Sequence, residues 1–578
     1  MENWKNVYEA WMSKEDLDLA LKRQLEESNE EQLHEAFYKE LTFGTGGMRG
    51  ILGPGINRMN KYTIRKVVSG LADYLLVACV NVKDRGVVVA YDSRYMSKEF
   101  ALETAKVLGM YGIKTYVFKT IHPTPLLSFA VRYLGTVAGV MITASHNPPE
   151  YNGFKVYNED GGQMIPEEAD AVIEKIQAIE DELSIPVMEQ DELEAKDLLI
   201  WVGQEIDNAY LEQLQLITKL SEIDFKRNKD LSIVYTPLHG TGRDLVEQGL
   251  QQMNFKHVHI VEEQAVPDPA FSTVASPNPE EHQAFTLAIE AGEKQNADIL
   301  LATDPDADRL GVAVKNRAGE YTILTGNQLG SLMVDYLLKH TEPILLQNAR
   351  VLKSIVSTEF AKAIAEKYGV EVVNTLTGFK YIAEKIHHYD ETGETFMFGF
   401  EESYGYLVQG FVRDKDAVQA SIMACEMAYY WKQQGKTLLE ALEELYEQHG
   451  YYMEGMSSLT LEGREGIEQI SRIMETIRKQ PLKKIAHLHV LEVEDYLTSI
   501  KRTIVDQSEE EIALPQENVL KFILEKDSWV CLRPSGTEPK IKCYYGVSSN
   551  SSKESEQSLL QLKQFMEKVM HDIIASDA

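Results

Sequence analysis

The sequence predicts an α/β protein of several domains, and three observations predict it. At 578 residues the chain is too long for one core, and at roughly 150 residues per domain it holds about four. Short apolar runs recur, each ending in a polar loop and alternating with stretches of helical spacing, which is the pattern of a layered sheet with helices on its faces. The last hundred residues break that rhythm and read as a small sheet packed by one long helix.

Residues 1–40 place Trp4, Val7, Tyr8, Trp11, Leu17 and Leu21 at helical spacing. "GVVVAYDSR" (Gly86–Arg94) is a buried-type strand running into a polar turn. A helix follows over Lys98–Tyr111, then a strand over Lys114–Phe118. The apolar run Val137–Ile142 ends abruptly in "TASHNPP". Residues around 178–200 are acidic and weakly patterned, and read as a bridge between domains. The α/β pattern then returns. "LSIVYTPLHGTG" (Leu231–Gly242) is strand and Gly-rich turn, "ADILLATDPDADRLGV" (Ala297–Val312) a strand ending in carboxylates, and "TFMFGFEESYGYLV" (Thr395–Val408) a strand ending in "EES". The helix over Ala417–Trp431 is apolar on most of its surface and is expected to be buried. "SWVCLRPSGTEPKIKCYYGV" reads strand, loop, strand. The last helix carries Leu559, Leu562, Phe565, Met566, Val569, Met570 and Ile573 in one stripe. The expected domains are 1–205, 206–325, 326–460 and 461–578.

Hydrophobic residues make up 44% and charged residues 26%, ordinary values for a folded protein. With 58 basic and 90 acidic residues the formal charge is −32. That argues against general nucleic-acid binding, which needs a basic face, but not against a small anion in a local pocket of arginines. The N-terminus lacks the pattern of a signal peptide, and no apolar run approaches the roughly 18 residues of a membrane span. Cys79, Cys425, Cys531 and Cys543 form no C-x-x-C pair. Cytoplasmic residence, with no membrane and no nucleic-acid partner, is the expectation.

The loops carry the chemistry. "TDPDADR" sets Asp304, Asp306 and Asp308 at alternate positions, so that in extended chain they point the same way. Three converging carboxylates require a cation, and hard oxygen ligands suit Mg²⁺. An EF-hand is excluded, because Arg309 and Lys315 stand where its Gly and Glu belong. Ser145 lies beside His146, with Pro148 and Pro149 restricting the chain, Gly153 permitting close approach, and Lys155 ten residues on. "TASHN" is not the G-x-S-x-G elbow of a serine hydrolase. A phosphorylated Ser145 explains more: it adds a charge near about −2, offers an oxygen to a metal, and stores a phosphoryl group. "LRPSGTEPK" offers Arg533, Ser535, Gly536 and Thr537 as a phosphate cradle. "EES" offers Glu401 and Ser403 to sugar hydroxyls, with Thr377 and Gly378 of "LTGFKY" near in sequence. "FGTGGMRG" presents Arg49 on a Gly-rich loop.

Taken together, "TASHNP", "DPDADR", "EES" and "RPSGTEPK", in this order over roughly residues 40–546, resemble the α-D-phosphohexomutase superfamily. The resemblance implies four domains around a central cleft, three of them related mixed-sheet α/β units and the last a smaller α+β unit. It implies that Ser145 carries the phosphoryl group and that one Mg²⁺ is held by Asp304, Asp306, Asp308 and the Ser145 phosphate. Arg49 and Lys155 would flank the transferring group, with His146 in support. Arg309, Glu401 and Ser403 would meet the sugar, and Arg533, Ser535, Gly536 and Thr537 the unreactive phosphate.

Two departures bear on substrate. Some relatives place Gly-His directly after the serine of the sugar loop, where this chain has Tyr404 and Gly405; Lys415 of "RDKD" then joins Lys155 as the expected proton carrier. The first loop reads GTGG where many relatives read GTSG, a feature shared with the phosphopentomutase branch, as is the long helical N-terminus. The expected reaction is the interconversion of α-D-glucose 1-phosphate and glucose 6-phosphate, with glucose 1,6-bisphosphate as intermediate and activator. A pentose or mannose phosphate handled by the same mechanism is the alternative. A haloacid-dehalogenase-like phosphatase using Asp304 is a weaker rival, because Asp308 stands where that family has Thr or Val and "TASHNP" goes unexplained. A non-catalytic sugar-phosphate sensor would not need the full site set.

Overall fold

The computed structural model describes the chain except Met1, Glu2, Thr45, Glu222, Asp224, Phe225, Glu462, residues 536–539, Asp577 and Ala578, and except the side chains of residues 3, 463 and 464. It divides into two compact units: residues 1–326 with 379–437, and residues 327–378 with 438–578.

The first unit contains two mixed sheets. The larger runs in the order Phe43–Gly44, Gly47–Ile51, Tyr151–Asn158, Ala138–Ile142, Val87–Tyr91, Thr115–Phe118, Leu199–Val202. Its last four strands are parallel. They are short and β-branched, and Val87–Tyr91 and Ala138–Ile142 are buried along their whole length, as strands covered on both faces must be. Helices Lys61–Ala78, Ser97–Met110 and Pro166–Gln177 pack on this sheet. Gly70 sits where a Cβ would lie 2.6 Å from the Ile176 side chain, so the crossing of the first and third helices depends on that glycine. The second sheet runs Tyr321–Leu324, Leu310–Lys315, Ile299–Thr303, Lys229–Thr236, Phe255–Ile260. In both sheets the loops singled out in the sequence leave the carboxyl ends of parallel strands, where open α/β sheets bind ligands.

Three short helices, Asn3–Ser13, Leu19–Glu27 and Glu30–Phe37, form the predicted N-terminal layer. Trp11, Leu17, Leu25 and Phe37 bury themselves with Tyr62 and Leu183. The acidic stretch around 178–200 is not a bridge. It ends in strand Leu199–Val202, which pairs parallel with Thr115–Phe118 and closes the sheet edge; Leu193, Leu199 and Val202 turn inward while most of the carboxylates face out and Glu182 is buried against Trp11. Helix Ala417–Gln433 is buried almost all round, as its composition predicts, and Asp416 caps it by accepting from the Val418 and Gln419 N–H groups.

In the second unit, Ala349–Ser354 and Glu371–Thr375 pair in parallel, with helix Phe360–Lys367 between them in sequence. The C-terminal sheet runs Tyr451–Thr460, Lys540–Ser549, Trp529–Pro534, Leu520–Leu524, Leu488–Asp495, Ile500–Thr503, Glu509–Glu511. Helices Gly463–Lys479 and Ser552–Ala575 pack on it through Ile473, Met474, Leu562, Met566 and Met570. Among the described residues no helix is long and apolar enough to cross a membrane.

Candidate active site

Ser145 follows strand Ala138–Ile142 in a left-handed conformation, φ +50°, with 7% of its surface exposed. A β-carbon residue held there is strained, so something must hold it. Its own N–H donates to Thr143 Oγ1 at 2.8 Å. Its Oγ donates to Asp304 Oδ2 at 2.5 Å and lies 3.2 Å from His146 Nδ1. The hydroxyl is therefore directed at a carboxylate and does not cap a turn. Gly153, on the neighbouring strand, admits no side chain: a Cβ would lie 2.4 Å from the Thr143 carbonyl oxygen.

The carboxylates converge, but not along an extended strand as the alternate spacing predicts. Strand Ile299–Thr303 ends before Asp304. The chain then turns, with Ala307 N–H donating to the Asp304 carbonyl at 2.9 Å and Ala307 itself at φ +50°. Asp304 Oδ1 accepts from the N–H groups of Asp308 and Arg309 at 3.1 and 3.0 Å. The turn brings one oxygen of each of Asp304, Asp306 and Asp308 within 4.8 Å of one another, all buried.

Two lysines meet these carboxylates. Lys155 Nζ lies 2.9 Å from Asp306 Oδ2 and 3.5 Å from Asp308 Oδ2. Lys415 Nζ lies 3.2 Å from Asp308 Oδ2 and 3.0 Å from Asp414 Oδ1. Burial lowers the pKa of both, but the facing carboxylates outweigh it and hold both as ammonium ions. Burial likewise raises Asp304, joined by repulsion from Asp306 and Asp308. For Asp306 burial is overcome by Lys155, and its pKa falls. His146 is pushed down to about 3 by burial and then by Arg309. The side chain of Gly405, had it one, would strike Lys415: its Cβ would lie 2.3 Å from Lys415 Cδ.

Even with two lysines present, Asp306 Oδ1 and Asp308 Oδ1 are buried without a hydrogen-bond partner. Orphaned carboxylate oxygens are costly in a protein interior. A divalent cation would satisfy them, and an all-oxygen donor set of this kind fits Mg²⁺.

The sugar-loop candidates of this unit join the same cluster. Arg309 Nη1 donates to Glu280 Oε1 at 2.7 Å and to the Ser403 carbonyl at 3.1 Å. Leu310 N–H donates to the Tyr404 carbonyl at 3.0 Å. Glu401 ends its strand 5% exposed, while Ser403 is half-buried. Arg49 stands exposed on strand Gly47–Ile51, donating to Asn147 Oδ1 at 2.8 Å. In the second unit, Arg533 Nε donates to Glu517 Oε1 at 3.1 Å and Ser535 N–H to the Lys540 carbonyl at 2.7 Å. Thr377 and Gly378 follow strand Glu371–Thr375, Gly378 at φ +124°. Gly536 and Thr537 lie outside the described residues.

Comparison with known proteins follows the same division of loops. Phosphoglucomutase/phosphomannomutase family models match in order: alpha/beta/alpha domain I over 40–183, domain II over 208–319, domain III over 325–449 and the C-terminal domain over 482–558. A phosphoglucomutase of Staphylococcus aureus (strain MRSA252) is 40% identical over 541 residues, 93% of this chain and 95% of that protein. The chain belongs to the phosphoglucomutase/phosphomannomutase family. A Staphylococcus haemolyticus phosphoglucomutase is also 40% identical, over 91% of this chain and 93% of its own. In fold, a phosphoglucomutase/phosphomannomutase family protein of Burkholderia thailandensis superposes with a TM-score of 0.65 at 17% identity, covering 92% of this chain and 97% of that one. Parafusin, a phosphoglucomutase of Paramecium, gives 0.65 at 16%, covering 93% and 96%. All four domains of the family are thus present.

Several side chains of this family member were not singled out in the sequence. Thr124 Oγ1 donates to Asp306 Oδ2 at 2.9 Å, and its N–H to the Asp306 carbonyl at 2.9 Å. Tyr157 donates to Asp414 Oδ2 at 2.8 Å. Glu280 holds Arg309, and Arg94 holds the Ser145 loop. Tyr157 had a signal, standing two residues beyond Lys155 on one strand and so on the same face. Arg94 had a weaker one, an arginine ending a wholly apolar strand.

Proposed function

We propose that the chain is a phosphoglucomutase, interconverting α-D-glucose 1-phosphate and glucose 6-phosphate through a phosphorylated Ser145 and a glucose 1,6-bisphosphate intermediate. The observation that carries this reading is the Ser145 Oγ resting on Asp304 in a cluster of three buried carboxylates and two lysines. The geometry around this hydroxyl is not that of a serine hydrolase, since its Oγ donates to Asp304 and no G-x-S-x-G elbow surrounds it. It suits storage and return of a phosphoryl group, a reaction that asks for positioning and charge neutralisation. The names carried by relatives at 40% identity over most of the chain favour the same reaction.

In the forward direction O6 of glucose 1-phosphate attacks the phosphorus on Ser145. The O6–P bond forms as the P–Oγ bond breaks. The ammonium of Lys155 or Lys415 gives its proton to Oγ as the P–Oγ bond breaks and takes up the proton that O6 releases. Arg49 flanks the phosphoryl group, and His146 stays neutral beside Oγ. The bisphosphate then reorients, its 1-phosphate returns to Ser145, and glucose 6-phosphate leaves. Asp304, Asp306 and Asp308 would hold Mg²⁺ together with an oxygen on Ser145. That ion would supply neutralising charge to the transferring group. Arg309, Glu401 and Ser403 take the sugar hydroxyls, with Thr377 and Gly378 assisting. Arg533, Ser535, Gly536 and Thr537 grip whichever phosphate is not reacting.

The test is a turnover panel. Purified enzyme with Mg²⁺ and trace glucose 1,6-bisphosphate is offered glucose, mannose, ribose and deoxyribose 1-phosphates, and kcat/KM compared. The highest value is expected for glucose 1-phosphate. A preference for a pentose phosphate would keep the Ser145 chemistry and overturn the sugar assignment, and no turnover of any of them would overturn both.

A further inference from the structure

Arg94 is 3% exposed and lies in the turn just beyond strand Val87–Tyr91, the parallel neighbour of the strand that leads to Ser145. Its guanidinium gathers carbonyls from one short stretch of chain. Nη2 donates to the carbonyls of Ser145, at 2.5 Å, and Asn147. Nη1 donates to those of Pro148 and Tyr151, at 2.8 and 3.1 Å. The ring of Phe271 lies against the guanidinium, 4.8 Å from Cζ. Asp92, fully buried, stands 3.4 Å from Nε. Asp92 is fixed in turn by the Ser97 hydroxyl at 2.7 Å and the Arg94 N–H at 2.9 Å.

This is a large investment of buried charge in a loop. A salt bridge at this depth rarely adds net stability over an apolar pair, so its use lies in fixing geometry. What it fixes is the segment in which Ser145 is held at φ +50°. Carbonyl oxygens also carry partial negative charge. Four of them left free beside Ser145 would oppose a phosphoryl dianion, whereas bound to a guanidinium they do not.

We propose that Arg94 is a positioning residue for phosphoryl transfer, holding the carbonyls of Ser145, Asn147, Pro148 and Tyr151 so that the strained Ser145 delivers Oγ to the carboxylate cluster. The inference rests on the reading of Ser145 as the phosphoryl store. The planar fork is essential to it, because lysine offers one compact charge and cannot reach the same four acceptors.

The test measures transfer of radiolabelled phosphate from glucose 1,6-bisphosphate to the dephosphorylated full-length enzyme with Mg²⁺, alongside kcat and KM. Arg94→Lys is expected to lower the transfer rate and kcat by about 100-fold, the scale of an ångström-sized misplacement, while KM stays within about 3-fold. Arg94→Ala is expected to regain part of its rate when guanidinium ion is added, a rescue that a merely structural role would not give. Arg94→Lys with wild-type transfer overturns the proposal, as does equal loss in kcat and 1/KM. If neither variant folds, Phe271→Leu, which removes only the ring against the guanidinium, is expected to lower kcat with KM unchanged, and an unaltered kcat overturns it. Wild-type enzyme that takes no label on Ser145 would bring down the underlying reading together with this one. Wild-type labelling matched by Arg94→Lys would bring down this one alone.

Discussion

Two regions of the chain that are proposed to handle phosphate are built in different ways. Around Ser145 the groups interlock about buried carboxylates: the hydroxyl on Asp304, each lysine between two carboxylates, and the loop carbonyls on one buried guanidinium. Around Arg533 the described groups are less deeply buried. Arg533 and Ser535 are both half-buried; the Arg533 Nε donates to Glu517 and its side chain also meets Tyr544, while the Ser535 N–H donates to the Lys540 carbonyl across the hairpin. The difference follows from what each must do. Making and breaking a P–O bond loses rate with every misplacement of the reacting atoms. Gripping the far phosphate of either sugar monophosphate requires a recognisable anion and tolerance of two ring orientations.

The comparison breaks most sharply at Ser145. Ser145→Ala removes the atom that would store the phosphoryl group, and turnover is expected to fall by about 10⁴-fold or more, on the scale seen when a covalent nucleophile is removed. The carboxylates and Arg533 remain, so glucose 1,6-bisphosphate should still bind, as isothermal titration would register. Mutase activity near the wild-type rate in a coupled assay would sink the phosphoserine mechanism.

A change at Arg533 should be milder and of a different kind. Arg533→Ala removes the guanidinium proposed to hold phosphate, and kcat/KM is expected to drop by about 10- to 100-fold, mostly through KM. Steady-state kinetics with glucose 1-phosphate checks this. An unchanged KM with a collapsed kcat would mean that this loop, too, positions the reaction, and the contrast drawn above would be lost.

How much of this was legible in the sequence depends on how local the contact is. The recurrent strands, the final helix and the Ser145, Asp304 and Arg533 loops announce themselves because apolar runs end there in chemistry-bearing residues. Lys155 was linked to Ser145 by standing ten residues on, and the structure sets it opposite Met141 on the adjoining antiparallel strand, across the loop of residues 143–150. The carboxylates were rightly grouped for a partly wrong reason, since a turn and not strand alternation brings them together. Arg94, Thr124 and Glu280 reach the site from other strands and loops. Only the order of strands in the sheets sets those contacts, and order leaves no mark at fixed sequence spacing. Leu199–Val202 was hidden by its acidic surroundings, because four residues of edge strand cannot outweigh a charged neighbourhood.

The smallest effect concerns the sheet that carries the Arg533 loop. Strand Lys540–Ser549 leaves that loop and pairs with Tyr451–Thr460, where Glu454 stands opposite Gly546. Glu454 is buried and accepts from Thr358 Oγ1 at 2.6 Å and Asn327 Nδ2 at 3.2 Å. Burial raises its pKa to about 7, against the hydrogen bonds of Thr358 and Asn327 and the charge of Lys353, which lower it, and with Glu359 adding repulsion. A carboxyl whose pKa is higher folded than unfolded binds its proton more tightly when folded. Its contribution is therefore complete below the unfolded value of 4.5 and lost as pH rises through about 7. The loss is at most about 3 kcal/mol. Hydrogen exchange of the amides in strand Tyr451–Thr460 should accelerate over this window beyond the intrinsic effect of pH, and Glu454→Gln should remove the excess. Parallel pH profiles for the two proteins would show that Glu454 does not titrate over this window, and the sheet that carries the Arg533 loop would then lack this pH-sensitive point.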